Sequence, residues 1–166
     1  MQKVIQLLAD NTSGVLSRIS GLFTRRGYNI ESITAGVTAD PRFSRVTITT
    51  SGDEDVLEQI VKQVYKLVDV RDLRVLDPEE SVYRELVLIK VKADKNERLE
   101  IQSIAQDVFR ARIIDMSQDS VIVELVGSPS KVSALIKLLE DYEILEIART
   151  GITGLQRGTE NVIELD

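Results

Sequence analysis

One order of segments occurs twice along this 166-residue chain, and it restricts the fold more than any single residue does. Apolar periodicity marks it. Residues 3–9 (KVIQLLA) read as a strand. From there Val15, Leu16, Ile19, Leu22 and Phe23 fall on one face of a helix, and Gly27 after Arg25 and Arg26 suits its end. Two extended runs follow, about 29–38 and 44–51, the second alternating Val46, Ile48 and Thr50, with ADPRF as the turn between them. Ser51 and Glu54 have capping-box spacing ahead of a second helix. Its buried face is Val56, Ile60, Val64 and Leu67, with Leu57 and Val61 beside them. VDVRDLRVLD then reads as a strand. The order is βαββαβ.

DPEES, residues 77–81, is polar, carries Pro78 and reads as a linker. The order then returns. VYRELVLIKVKA is a strand, and Ile101, Ile104, Ala105, Val108 and Phe109 mark a helix face. ARIIDMS and SVIVELVG form a hairpin around Gln118 and Asp119. Ser128 is the N-cap and Pro129 the first residue of another helix, and EILEIART closes the unit as a strand. A repeat of ~80 residues is too long for a solenoid and fits two tandem domains. The fold class expected is α+β, with two tandem ferredoxin-like βαββαβ domains at 1–76 and 82–158 and a tail at 159–166. Each antiparallel four-stranded sheet would carry both helices on one face. The other face would need a cover, either the sister domain or another copy of the chain.

Composition removes much chemistry. There is no cysteine and no histidine. Disulfides, thiolate metal sites, Ser-His-Asp and Cys-His catalysis are therefore excluded, together with the usual proton shuttle near neutral pH. Carboxylate or lysine chemistry stays open, but no paired spacing suggests it. Asp53–Asp55 (DED) is better explained by a helix N-terminus than by a metal site. A net charge of −6 and a pI near 4.9 disfavour nucleic acid or anionic membrane as partner. No apolar run approaches a bilayer span, and MQKVIQLLAD lacks a signal-peptide plan. The default location is cytoplasmic.

The first strand–helix junction, LLADNTSGVLSR, is the most informative stretch. An apolar run stops in a short polar loop, a glycine follows, and a helix begins at once. Unpaired N–H groups at a helix start attract an anion. Taken alone, Gly14 is more often a tight-turn glycine than a ligand contact, Asn11 and Asn29 are turn and strand-start residues, and the isoleucines are core. Arg18, Arg25 and Arg26 form a small basic patch, read as a solvated face.

DNTSGVLSRISGLFTRRGYNIESITAG, with DPRFSRVTI, DVLEQIVKQVYKLVDV and RELVLIKV after it, closely resembles the small regulatory subunits of acetohydroxyacid (acetolactate) synthase. FRARIIDMS, VELVGSPSKVSALI and EIARTGITGLQRG extend the likeness through the second half. The resemblance implies an N-terminal ACT domain and an ACT-like C-terminal domain, and no catalytic role. It implies a large catalytic subunit as partner, with thiamine diphosphate, magnesium and FAD held there and no cofactor in this chain. It also implies feedback inhibition by valine or another branched-chain amino acid, bound between the paired ACT domains of a homodimer. By that likeness the effector's carboxylate meets Asn11, Gly14, Val15 and Leu16, while Asn29 and Ile30 approach from the neighbouring subunit and Ile33 helps line the pocket. KADKNERLEIQ has no glycine where the first half has Gly14, so no second effector site is expected. That domain is assigned to the catalytic subunit and to dimer packing, and TADPRFSR, with Arg42 and Phe43, is a candidate docking loop. The rival readings are a stand-alone amino-acid sensor acting on another enzyme or a transcription factor, and a carboxylate- or lysine-dependent enzyme.

Overall fold

The computed structural model describes residues 1–159. By contact the chain divides into two units, residues 1–82 joined by the stretch from Gly151, and residues 83–150.

In the first unit β1 (Gln2–Asp10), α1 (Val15–Arg26), β2 (Ser32–Val37), β3 (Phe43–Ser51), α2 (Glu54–Tyr65) and β4 (Val70–Leu76) follow the expected order. The antiparallel sheet runs β2-β3-β1-β4, with Ile5 opposite Ile48 and Leu7 opposite Val46. On one face Ile5, Leu7, Val46 and Ile48 meet Val15, Ile19, Leu22 and Phe23 of α1 and Leu57, Ile60 and Val64 of α2. Burying each such side chain is worth roughly 1.5–3 kcal/mol, and that holds together helices of 12 residues that would be marginal alone. α1 ends where expected, at Gly27 with φ 69°.

Two local expectations change. Ser51 closes β3 and donates its hydroxyl to Glu31, so it does not cap α2. Asp53 is the cap instead, accepting from Val56 N–H at 2.9 Å, because the strand runs through Ser51 and the chain turns only after it. Leu16 is 47% exposed and does not join the buried stripe of α1; it stands at the first turn, over a cleft rather than over the sheet.

The second face of this sheet is covered by the chain itself over its two central strands, β1 and β3. Val4, Gln6, Leu8, Thr47 and Thr49 are all buried. A strand absent from the sequence reading, β9 (Thr153–Gln156), and the residues before it lie here. Gln6 Nε2 donates to the Gly154 carbonyl at 2.5 Å, and Thr34 Oγ1 to the Ile152 carbonyl at 3.2 Å. Arg157 N–H donates to the Glu80 carbonyl at 2.8 Å. The second domain was expected to run to 158; by contact the described residues from Gly151 on group with the first unit. Of the expected tail, 160–166 lies outside the described residues.

The second unit repeats the plan with β5 (Ser81–Lys92), α3 (Lys95–Ser103), β6 (Arg112–Met116), β7 (Ser120–Gly127), α4 (Pro129–Leu139) and β8 (Glu143–Arg149). Its strands order β6-β7-β5-β8, again antiparallel. β5 begins at buried Ser81, so the connecting turn is shorter than the 77–81 expected. A π-helical turn, Ile104–Val108, extends α3. Ile101 and Ala105 are buried and Phe109 packs on the core, but Val108 is 66% exposed. The extra residue in the π turn breaks the 3.6-residue period and swings Val108 outward.

Candidate functional site

The start of α1 borders a cleft of about 310 Å³. Asn11, Gly14, Val15 and Leu16, four of the six site residues expected from sequence, line it. Thr12 and Ser17 come from the same junction, and Ala35, Ser44 and Val46 from β2 and β3. Gly14 is the N-cap, at φ 85° and ψ −3°, a left-handed conformation that side-chain-bearing residues rarely adopt. Among the described residues no side-chain cap bonds the helix start, and the first turn carries no acid. Its N–H groups and the positive end of the helix dipole therefore remain available to an anion.

The other helices show what a satisfied start looks like. α3, the counterpart of α1 in the second unit, begins at Asp94. The Asp94 carboxylate accepts from the N–H groups of Asn96 and Glu97 at 2.8 and 2.9 Å, and Glu97 accepts from Asp94 N–H in return. Those backbone donors hold the Asp94 carboxyl below its ordinary range. α2 and α4 are capped by Asp53 and Ser128. Among the four α-helices described, α1 alone leaves its N-terminus without a side-chain cap.

Around the cleft the polar groups are fixed. Asn11 Nδ2 donates to the Pro41 carbonyl at 2.9 Å, and Asn11 Oδ1 accepts from the Ser44 hydroxyl at 3.2 Å. Its amide carries a second N–H beyond the one bound to Pro41. Arg42 pairs with Asp40 and lies 5.3 Å from the Phe43 ring centre, so the expected docking turn is braced from within. Asn29 and Ile30 do not line this cleft. The Asn29 carbonyl accepts from Thr50 Oγ1 at 2.6 Å, and Ile30 packs on the first core. Ile33 is partly exposed on edge strand β2.

Two pairs escaped the sequence reading. Arg18, expected on a solvated face, grips Asp69 through Nε and Nη2 at 2.5 and 2.9 Å. Arg71 grips Asp10 at 2.6 and 2.7 Å. The partners are 51 and 61 positions apart in the chain, so no local pattern signals them. Among the described residues no cluster of three or more histidine, cysteine, aspartate or glutamate side chains is placed to hold a metal, and no helix is long and apolar enough to cross a membrane.

Two βαββαβ units, one with an open helix start over a small cleft, define a domain pair of the ACT type. Comparison with known proteins agrees. Residues 5–72 match the model of the AHAS small subunit-like ACT domain, and residues 84–158 that of the small subunit of acetolactate synthase. The chain is 46% identical over 157 residues to a probable acetolactate synthase small subunit of Methanothermobacter thermautotrophicus, covering 94% of this chain and 93% of the relative. It is 45% identical over 159 residues to the acetolactate synthase isozyme 3 small subunit of Escherichia coli, covering 95% and 97%. The crystal structure of the Thermotoga maritima acetolactate synthase small subunit superposes with a TM-score of 0.84 at 42% identity, covering 96% of this chain and 99% of that one. The chain belongs to the family of acetolactate synthase small subunits, whose members are regulatory and leave catalysis to the large subunit.

Proposed function

We propose that this chain binds the thiamine-diphosphate-dependent large subunit of acetolactate synthase, raises its activity and makes it sensitive to valine or a close branched-chain analogue. The observation that carries the reading is the contrast between two equivalent helix starts. α3 is filled by its own Asp94 and Glu97, whereas α1 is open beside a cleft of about 310 Å³. That volume lies at the small end of the ~300–1,000 Å³ usual for ligand sites and suits a free amino acid. The amino acid's carboxylate takes the N–H groups at Val15, Leu16 and Ser17, with Asn11 contributing its second amide N–H. Leu16, Ala35 and Val46 offer apolar contact to an aliphatic side chain. Asn29 and Ile30 act from a second protomer whose first unit pairs beside this one, which makes the working form a homodimer. Thiamine diphosphate, magnesium and FAD belong to the large subunit.

The effector acts only through its difference in affinity between two arrangements of the assembly. Reconstitution with a cognate large subunit, assayed with and without valine, tests the whole reading. Activation followed by valine inhibition is expected. Calorimetry with valine, leucine and isoleucine tests the site alone, and no heat at millimolar concentration with any of them would overturn it.

A further inference from the structure

A site for a carboxylate should not keep carboxylates of its own close by, yet one lines this cleft and a second stands behind it. Asp10 lines the cleft, and Asp69 stands one guanidinium's width beyond Gly14. Asp69 is 9% exposed, and its backbone carbonyl accepts from Asp10 N–H at 2.9 Å, which ties its main chain to the end of β1. Each acid is masked in the same way, by an arginine that spends two N–H groups on both of its oxygens: Arg18 on Asp69 and Arg71 on Asp10. Arg18 does not line the cleft, but it stands directly behind Gly14, which does. A Cβ on Gly14 would lie 2.9 Å from its Nη1 and 3.8 Å from its Cζ, so the guanidinium stands directly against the residue that opens the helix.

We propose that Arg18 is an affinity-determining residue of the effector site, acting by cancelling the Asp69 charge beside the α1 N-terminus. The inference rests on the amino-acid-binding reading above. Arg18 meets Asp69 through the paired N–H geometry only a guanidinium supplies, so lysine is not equivalent. Remove Arg18 and a buried carboxylate, left with only the more distant charge of Arg71 to offset it, stands within a Debye length of the incoming one. The same screening predicts that the loss shrinks at high salt.

The test is calorimetric titration of the full chain with L-valine, at low and high ionic strength, on four proteins. If wild type binds, Arg18→Gln is expected to weaken binding by about tenfold or more, equivalent to ~1.4 kcal/mol. Asp69→Asn is expected to bind as tightly as wild type or tighter. The double variant Arg18→Gln/Asp69→Asn is expected to recover most of the loss, because the offending charge is gone. Thermal unfolding of all four separates this from bracing: a structural role predicts that the double variant stays as weak as Arg18→Gln. Unchanged affinity in Arg18→Gln, or no recovery in the double variant, overturns the inference. Absence of any valine, leucine or isoleucine binding by wild type overturns the underlying reading instead.

Discussion

At the residue scale Gly14 sets the shape of the α1 start. A side chain here meets two penalties: a φ of 85°, and Arg18 Nη1 at 2.9 Å from the new Cβ. The second is cheap, since the guanidinium ends a flexible side chain; the first costs about 1–2 kcal/mol for an ordinary residue and less for aspartate. Gly14→Asp is thus expected to fold, with a melting temperature lower by a few degrees, and to lose valine inhibition because its carboxylate occupies or repels the anion position. Assay of the reconstituted enzyme across a valine titration checks this, each preparation's own valine-free rate serving as reference. Full inhibition of the variant would place the site elsewhere. Gly14 was legible in sequence because a polar loop, a glycine and an apolar helix pattern are adjacent in the chain. Arg18 was legible only as a charge; its partner, brought near by the fold, was not.

Among elements, the repeated βαββαβ order could be read almost whole, since strand and helix periods are local properties of apolar spacing. Boundaries failed where backbone geometry overrode pattern. Ser51 and Glu54 have the right spacing for a capping box, but β3 holds Ser51, and Asp53 caps α2. Val108 has helical spacing, but the π turn turns it outward. The short β9 escaped because four residues carry too little pattern. Capping yields a sharp expectation. Asp94→Ala removes the acceptor for two N–H groups and the partner of Glu97, and should cost about 1 kcal/mol of stability by denaturant titration. Amino-acid binding should be untouched, since α3 has no open start. A second expectation concerns Gly151, at φ 82°, where a Cβ would come within 2.4 Å of Ser32 Cβ and 3.7 Å of Ser32 Cα. Gly151→Val is expected to lift the covering segment from β2, expose Gln6 and Thr34, and speed limited proteolysis near 151. Unchanged cleavage would show that the segment tolerates the displacement.

Across the whole molecule, the absence of histidine sets how stability responds to pH. No imidazole titrates between pH 5 and 8, so stability should be nearly flat there. Below that range the carboxylates decide. Asp69 is held below its ordinary value of 3.8 chiefly by its hydrogen bonds to Arg18, and Asp40 by those to Arg42. Asp94 is lowered by the backbone N–H groups of Glu97 and Asn96, and Glu58 and Glu146 lie below 4.5 through Lys62 and Lys90. In every case the unfolded chain binds the proton more readily than the folded one. Such groups contribute stability that is complete above their unfolded values and is lost as pH falls through the folded ones. Most of these groups are exposed, so each contributes little, and the fall should be gradual rather than a single step. Urea titrations at pH 8, 7, 6, 5, 4 and 3 are expected to give equal midpoints down to about pH 5 and a progressive decline from pH 4. Asp69→Asn should flatten the acid limb without creating a transition near neutrality. A midpoint that shifted sharply between pH 6 and 7 would mean that a group with a strongly displaced pKa controls the fold, against the distribution of charge seen here.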